Sequence, residues 1–486
     1  VGRVMTCVLG MVVRREREIR AFVKTPFYRV VSSIALEGES FEGEWRAVEG
    51  SRYFQSPVLY KENGFKKKED AQKLICELST QQPLICTVEK IERKKENKNP
   101  PLLFNLAELQ NVCSKLFKIS PDETLSIVQD LYEKKLVTYP RTDARVLSTA
   151  VAKEIYKNIS GLRNYPQAGE AAQGALELGA YKNIAKTRYT NDKQITDHYA
   201  IIPTGQGLGA LKGLSLTAQR VYETIVRRFL SIFYPPAVYQ KVSLVTKMEN
   251  ESFFSSFKVL LSEGYLKIAA NSFAKKSMAE ASGKTPESEG EGEVSCDEAL
   301  LAALQKLKKG DILNINGLGI KEGETSPPKR YNSGSMILAM ENAGQLIEDE
   351  DLRSQIKGSG IGTSATRAEI LKKLFNIRYL SLNKKTQVIT PTLQGEMIYD
   401  VVNCSIRQLL NPELTASWEK GLTYVAEGSI TEQEYMDKLE RFVRIRTKQV
   451  EDSHFQYALR QFFDAAAQYY KKPERETAVK KRQNTL

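Results

Sequence analysis

The chain has 486 residues, more than one hydrophobic core usually supports, so several domains are expected. Hydrophobic residues at 41% and charged residues at 27% fit a folded protein, and no run is long and apolar enough to cross a bilayer. Lys and Arg outnumber Asp and Glu by 71 to 59, a net charge of +12 that favours a polyanionic partner, nucleic acid before acidic membrane, while a generic basic protein stays open.

In chain order, residues 1–25 read as a helix ending in a charged segment. The charged RRERE after the first apolar run, with no small-residue cleavage site, argues against a signal peptide. The first residue is Val1, which raises the expectation that N-terminal sequence is missing. From Phe27 to about Val88, β-rich pieces such as FYRVVSSIAL dominate, with a short helix at Glu69–Leu78. The basic run ERKKENKNPP is expected to be a linker or crossing point. In NLAELQNVCSKLF, Leu106, Leu109, Val112 and Leu116 share one helical face. In SPDETLSIVQDLYEKKL, Ser120 caps, Pro121 takes the first helical position and Glu123 completes a capping box. Leu125, Val128, Leu131 and Tyr132 form its buried stripe, and the helix ends near Leu136, because Pro140 pushes Tyr139 out of helical geometry. Residues 149–235 read as helix and loop, 238–268 as long strands, and 270–298 as a low-complexity mobile insert. After the β-like GDILNINGLGI, the chain from Pro327 is largely helical, with a loose tail at KKPERETAVKKRQNTL. The cysteines Cys7, Cys76, Cys86, Cys113, Cys296 and Cys404 form no C-x-x-C pair, so no zinc ribbon is expected, and they suit a reducing cytoplasm.

A weak internal echo is present. PPLLFNLAELQ leads through a helix to LVTYP, and PPKRYNSGSMILAMENAG leads through TSATRAEILKKLF to RYLSL and a hairpin-like NKKTQVITPT. Helix, turn, helix and wing is how winged-helix modules read DNA, although helix-turn-helix units are also common packing units.

The run Leu136-Val-Thr-Tyr139-Pro-Arg141-Thr142-Asp143 carries the sharpest chemistry. A phenol is a poor nucleophile at neutral pH, its ordinary pKa being about 10, and needs cations or donors that favour phenolate. Arg141 offers a bidentate grip on phosphate oxygens and Thr142 a hydroxyl donor. From the local pattern alone, a tyrosine packed before a proline is equally at home, as Tyr165-Pro166 and Tyr234-Pro235 illustrate. His198, in Thr196-Asp197-His198-Tyr-Ala-Ile-Ile-Pro-Thr204, is one of two histidines and reads locally as structural or catalytic; Asp197 is placed to hold its tautomer and raise its pKa. His454 lies in no motif. Gly360-Ile-Gly362-Thr363-Ser364-Ala365-Thr366-Arg367 is a turn opening a helix, a place that attracts phosphate and equally one that needs a cap.

YEKKLVTYPRTDARVLS resembles the active-site signature of type IA DNA topoisomerases, above all the topoisomerase III branch. VGRVMTCVLGMVVRRERE is similar to the family's G-R-V-Q-T-P segment, with Met5 and Cys7 in place of Gln and Pro, which puts a contact at Met5 in doubt. PPLLFNLAELQ, TDHYAIIPTG, SPPKRYNSGSMILAMENAG, GSGIGTSATRAEILKKL and LTASWEKGL resemble further family blocks in the same order. The resemblance implies an α+β multidomain toroid with winged-helix-like helical domains and a β-rich arch. Its parts are expected at 1–26 (first part of a helical DNA-binding domain), 27–98 (arch), 99–235 (tyrosine-bearing helical domain), 236–326 (arch, with the insert) and 327–486 (single-strand-binding domain). It also implies ATP-independent cleavage of one DNA strand by Tyr139 through a 5′-phosphotyrosine, strand passage and religation. Arg141 and His198 would act at the scissile phosphate. Arg3, Thr142, Lys329, Arg330, Thr363, Thr366 and Arg367 would contact DNA.

The family's Mg²⁺ ligands belong to an N-terminal Toprim domain that precedes the G-R-V block, so no metal site is expected within these residues, and no zinc. Glu348-Asp349-Glu350-Asp351 reads as a solvated acidic face. The chain alone is then expected to bind single strands without completing a cleavage cycle. The expected protein is a cytoplasmic, nucleoid-associated bacterial monomer acting on single-stranded regions of supercoiled or catenated DNA. A non-catalytic single-strand binder of the same fold is the alternative; a tyrosine recombinase is disfavoured, because the several Arg and His residues it needs around a Tyr near the C-terminus are not found here.

Overall fold

The computed structural model describes residues 2–80, 82–273, 293–295, 298–347, 350 and 360–470. Most of the insert expected at 270–298, most of the acidic run at 348–351 and the tail from 471 lie outside them.

Helix α1 (Arg3–Ala21) leads into strands β1 (Pro26–Leu36), β2 (Glu39–Arg46), β3 (Leu59–Lys61) and β4 (Gly64–Phe65), helix α2 (Lys68–Leu78) and strand β5 (Ile85–Lys98). A helical stretch follows: α3 (Leu106–Phe117), α4 (Pro121–Glu133), α5 (Thr149–Glu154), α6 (Tyr156–Gly161), α7 (Gly169–Leu178) and α8 (Leu216–Ser231). Strands β6 (Ala237–Met248) and β7 (Glu251–Ser262), helix α9 (Leu266–Ala269), strand β8 (Glu293–Ser295), helix α10 (Glu298–Lys306) and strand β9 (Ile312–Glu324) return to sheet. Then come α11 (Ser333–Glu341), α12 (Arg367–Asn376), the hairpin β10 (Leu380–Leu382) and β11 (Ile389–Pro391), and α13 (Leu393–Ser405), α14 (Pro412–Ala426), α15 (Glu432–Glu451) and α16 (Gln456–Ala467).

The long strands close on themselves. β1 pairs β2, β2 pairs β7, β7 pairs β6, β6 pairs β5, β5 pairs β9 and β9 returns to β1, all antiparallel. Alternating side chains give this ring one apolar face, where Val30, Ile34, Trp45, Val242, Leu244 and Phe253 pack with Leu74 of α2 and Leu304 of α10. Trp45 is fully buried, stacked on Phe65 at 4.9 Å, and its indole N–H donates to Glu251 at 2.7 Å.

The basic run after Val88 is not a linker. It is the second half of β5, paired with β6 from Thr87↔Lys247 to Lys98↔Ala237. Ladder bonds use the backbone, so a strand whose side chains stay in water needs no apolar pattern. Its charges instead find neighbours, as Glu96 does with Lys258 at 3.1 Å.

Lys98↔Ala237 is one joint of the ring; through it the helical stretch 99–236 is inserted at the end of the β5–β6 pair. Pro26↔Glu324 is the other, where α1 and everything after β9 leave. Each joint carries its own core. Leu106, Leu109, Val128, Ile202, Val221 and Phe229 centre the first. Val8, Val12, Met336, Ile337, Leu371 and Leu374 centre the second, where α1 lies under the helices that follow β9.

The two helical cores meet where α3 crosses α11. A Cβ at Gly334 would come within 2.7 Å of the Asn111 Cα, so the glycine sets the close approach. The Ser114 and Ser333 hydroxyls lie 3.0 Å apart, both buried. This contact corrects the expected face of α3. Leu106 and Leu109 are buried, but Leu116 is exposed and Val112 half-buried, while Gln110, Asn111 and Ser114 are covered. In α4, Val128 and Leu131 are buried, Leu125 is half-buried and Tyr132 is exposed. Ser120 caps α4 by accepting from the Glu123 N–H at 3.1 Å, with Pro121 in the first turn, but the return bond of a capping box is not formed. The second helix-turn-helix unit does carry its wing, the β10–β11 hairpin with Leu380↔Pro391. The first does not: Val137 bridges Pro203 instead.

Candidate active site

Tyr139 sits just past α4, on a segment laced to residues 198–204. The Thr138 N–H donates to Ile202 O at 3.0 Å, and its hydroxyl donates to Ala200 O at 3.0 Å while accepting from the Ile202 N–H. Thr142 donates its hydroxyl to His198 O at 2.8 Å. These bonds hold two remote segments in register, and the Tyr139 and His198 rings end up 4.4 Å apart at 45°. Tyr132 approaches Tyr139 edge to face at 5.5 Å. Tyr139 is half-buried and His198 exposed, and both line an open cleft with Lys135, Tyr199 and Gln206. No hydrogen bond or ion pair joins Asp197 to His198 among the described residues, so the expected support of the imidazole by Asp197 is not in place.

Arg141 points the other way. Its guanidinium donates to Ala365 O at 3.4 Å, across to the turn before α12. That turn borders a second cleft of about 400 Å³, which gathers Arg3, Thr363 and Thr366 of the expected contacts with Lys373, Thr415 and Glu419. Gly360 and Gly362 adopt φ of 66° and 69°, which lets the turn fold back. The Thr363 carbonyl accepts from the Thr366 and Arg367 N–H groups, and its hydroxyl lies 3.1 Å from that of Thr366, both residues lining the cleft. Arg3 reaches Glu419 at 3.0 Å.

The other expected contacts lie elsewhere. Arg367 is 1% exposed; its guanidinium donates to Asp143 at 3.0 Å and to Ile361 O at 3.4 Å, inside the wall of the cleft. Thr142 is also buried, its hydroxyl engaged by His198 O and the Ala144 N–H. Arg330 forms a bidentate pair with Glu16 at 2.7 and 2.9 Å, and those bonds hold the Glu16 carboxyl below its ordinary range. Lys329 is exposed outside both clefts, its carbonyl accepting from Arg15. Sequence reasoning passed over Tyr132, Lys135, Tyr199 and Gln206 in the first cleft and Lys373 and Thr415 in the second. Thr415 is 2% exposed, and its hydroxyl has no partner among the described residues. Its position in LTASWEKGL was the one available signal.

The residues from 1 to 437 match the DNA topoisomerase family. The chain belongs to that family. Among curated topoisomerases, "DNA topoisomerase 3" of Bacillus licheniformis is 30% identical over 457 residues, and that of Bacillus subtilis 30% over 456. Each alignment takes in 93% of this chain and 56% of the relative, so the chain spans little more than half the length of these relatives. Full-length topoisomerase I of Thermotoga maritima shares the fold, with a TM-score of 0.60 at 22% identity over 92% of this chain and 63% of that one. The topoisomerase III resemblance read from the sequence is upheld by these relatives. The divalent cation it implies finds no donor set in this part of a topoisomerase: among the described residues, no three His, Cys, Asp or Glu side chains converge.

Proposed function

We propose that this chain, working with a Toprim-type domain, supplies the Tyr139 phenol that cuts one strand of DNA and reseals it after strand passage. The phenol oxygen attacks a backbone phosphorus, the 3′-oxygen leaves as a hydroxyl, and the 5′-phosphate remains esterified to Tyr139. The phosphodiester energy is kept in that ester, so the reverse attack needs no ATP. His198 meets the phosphate as a hydrogen-bonding ring, and Arg141, which here donates to Ala365 O, would turn to it as a cation. The strand enters through the second cleft, where Arg3, Thr363, Thr366 and Lys373 meet its backbone. Single-stranded stretches of negatively supercoiled or catenated bacterial DNA are the substrate, and the protein acts as a monomer at the nucleoid. Mg²⁺ would be held by a Toprim-type domain outside these residues. No described helix is long and apolar enough to cross a membrane.

The observation that carries this reading is the placement of Tyr139 against His198, ring to ring at 4.4 Å. The test is covalent capture. A suicide oligonucleotide is offered with Mg²⁺ to a preparation that includes a Toprim-type domain, in cis or in trans. Mass spectrometry should map a nucleotide to Tyr139, and Tyr139→Phe should abolish the adduct while changing single-strand affinity by less than about twofold. An adduct on another side chain, or a protein that binds strands and never forms one, would overturn it.

A further inference from the structure

The cleft at Tyr139 encloses about 610 Å³, and every wall comes from residues 132–206. Ligand-sized pockets run from about 300 to 1,000 Å³, so one nucleotide fits. Its walls are aromatic: Tyr132, Tyr199 and His198 stand around Tyr139. Tyr132 is 39% exposed although it follows the buried Leu131 on α4, so much of its ring is left to the cleft. At the rim, the Lys135 ammonium and the Gln206 amide have no side-chain partner among the described residues. Open π-surface beside a free cation is the composition of a sequence-tolerant single-strand subsite.

We infer that this cleft is a nucleoside subsite for the first nucleotide on the 5′-phosphate side of the cut, with Tyr132 as the ring on which its base stacks. The inference rests on Tyr139 chemistry as proposed above and adds where the bound end goes. After attack, the 5′-phosphate is tethered to Tyr139, so the sugar of its nucleotide is held a few covalent bonds from the phenol oxygen. The second cleft is built on α1, α12 and α14, in the other helical core. Of these two clefts, the one of residues 132–206 shares a core with Tyr139 and would stay with the tethered end if the two cores part. Lys135 at the rim would meet the next phosphate along the strand, and Gln206 the base edge.

The test uses non-covalent binding in a Tyr139→Phe background, so cleavage contributes nothing. The probes are short 5′-phosphorylated deoxyoligonucleotides whose first residue is intact, abasic or 2-aminopurine. Loss of the first base should weaken binding about tenfold or more. Tyr132→Ala should shrink that penalty to less than about twofold, and Tyr132→Phe, which keeps the ring, should restore it. The 2-aminopurine probe should be quenched by the protein with Tyr132 and not by Tyr132→Ala. An abasic penalty indifferent to Tyr132, with 2-aminopurine left bright, overturns the subsite while leaving an adduct at Tyr139 untouched. Absence of the adduct in the capture experiment removes the chemistry and the 5′ assignment together.

Discussion

Arg367 is packed at 1% exposure beneath the turn that a single strand would follow, with its charge given to Asp143 at 3.0 Å. Asp143 is 37% exposed and stays solvated without its partner, so the cost of truncating Arg367 comes from the cavity left by a large buried side chain, about 3 kcal/mol. Arg367→Ala should therefore lower the unfolding midpoint in urea or heat by an amount of that order. It should leave the salt dependence of single-strand binding alone, because a guanidinium that meets no phosphate releases no counterion. A drop of roughly 0.7 in the slope of log K against log salt would return Arg367 to the groove. Glu341 lies beside the same pair, accepting from the Asn105 amide at 2.6 Å. Burial, more than the nearby Asp143, lifts its carboxyl above the ordinary value of 4.5, against the opposing pull of Arg367 and Asn105. A raised acid binds its proton more tightly folded than unfolded, so its contribution is full below 4.5 and is lost as pH rises through the folded value. Glu341→Gln should flatten the fall of stability above pH 4.5, measured as unfolding midpoint against pH; an unchanged slope would show that Glu341 is not its source. At this scale each local run has a structural use as well, and it was the family resemblance that singled out Tyr139, His198 and the Gly362–Thr366 turn; the structure brings the first two together and sets the turn at the second cleft. Burial was not legible: an arginine at a helix start reads alike whether it faces phosphate or an aspartate 224 residues earlier.

Elements were legible where a pattern is local. Ser120 and Pro121 mark the start of α4, and the β10–β11 wing follows from a turn between two short apolar runs. The misreadings occur where a distant partner decides. The second half of β5 is a strand because β6 supplies its ladder, 139 residues on from Lys98 to Ala237. Tyr132 has the spacing of a core residue, but it lies in the last turn of α4, which ends at Glu133, and its ring stands beside Tyr139. The covered polar face of α3 follows from Gly334 of α11, which no periodicity in α3 announces. The same long-range character explains why Thr415 was passed over: its hydroxyl becomes notable only once α14 is seen against α12 and α1.

On the scale of the molecule, the strand ring has its two joints at opposite ends. From Lys98 the path runs down β5 to Thr87, crosses to Ile312, and continues along β9 to Glu324. At about 3.3 Å per residue that is on the order of 70 Å along the strands. The helical units carried by these joints nonetheless touch, through α3 against α11 and Asp143 with Arg367. A span with distant feet whose ends meet is a ring, and the closure rests on that one seam rather than on the strands. The toroid came from family resemblance, because pairs such as Glu44↔Phe254 lie beyond any local pattern.

If a second strand passes into the ring, the seam must open, and it can be held shut. The Ser114 and Ser333 oxygens are 3.0 Å apart, so a Ser114→Cys, Ser333→Cys pair places its sulfurs near the 2.05 Å or so of a disulfide. Once oxidised, with the bond verified by mass spectrometry, the double variant should still form the Tyr139 adduct, since the cleft of residues 132–206 is not crossed by the link. Decatenation should fall at least tenfold and return on reduction, while each single variant behaves like the parent, which controls for the neighbouring Cys113. Undiminished decatenation by the locked protein would mean that DNA does not enter between α3 and α11, and that a joint of the strand ring bends instead.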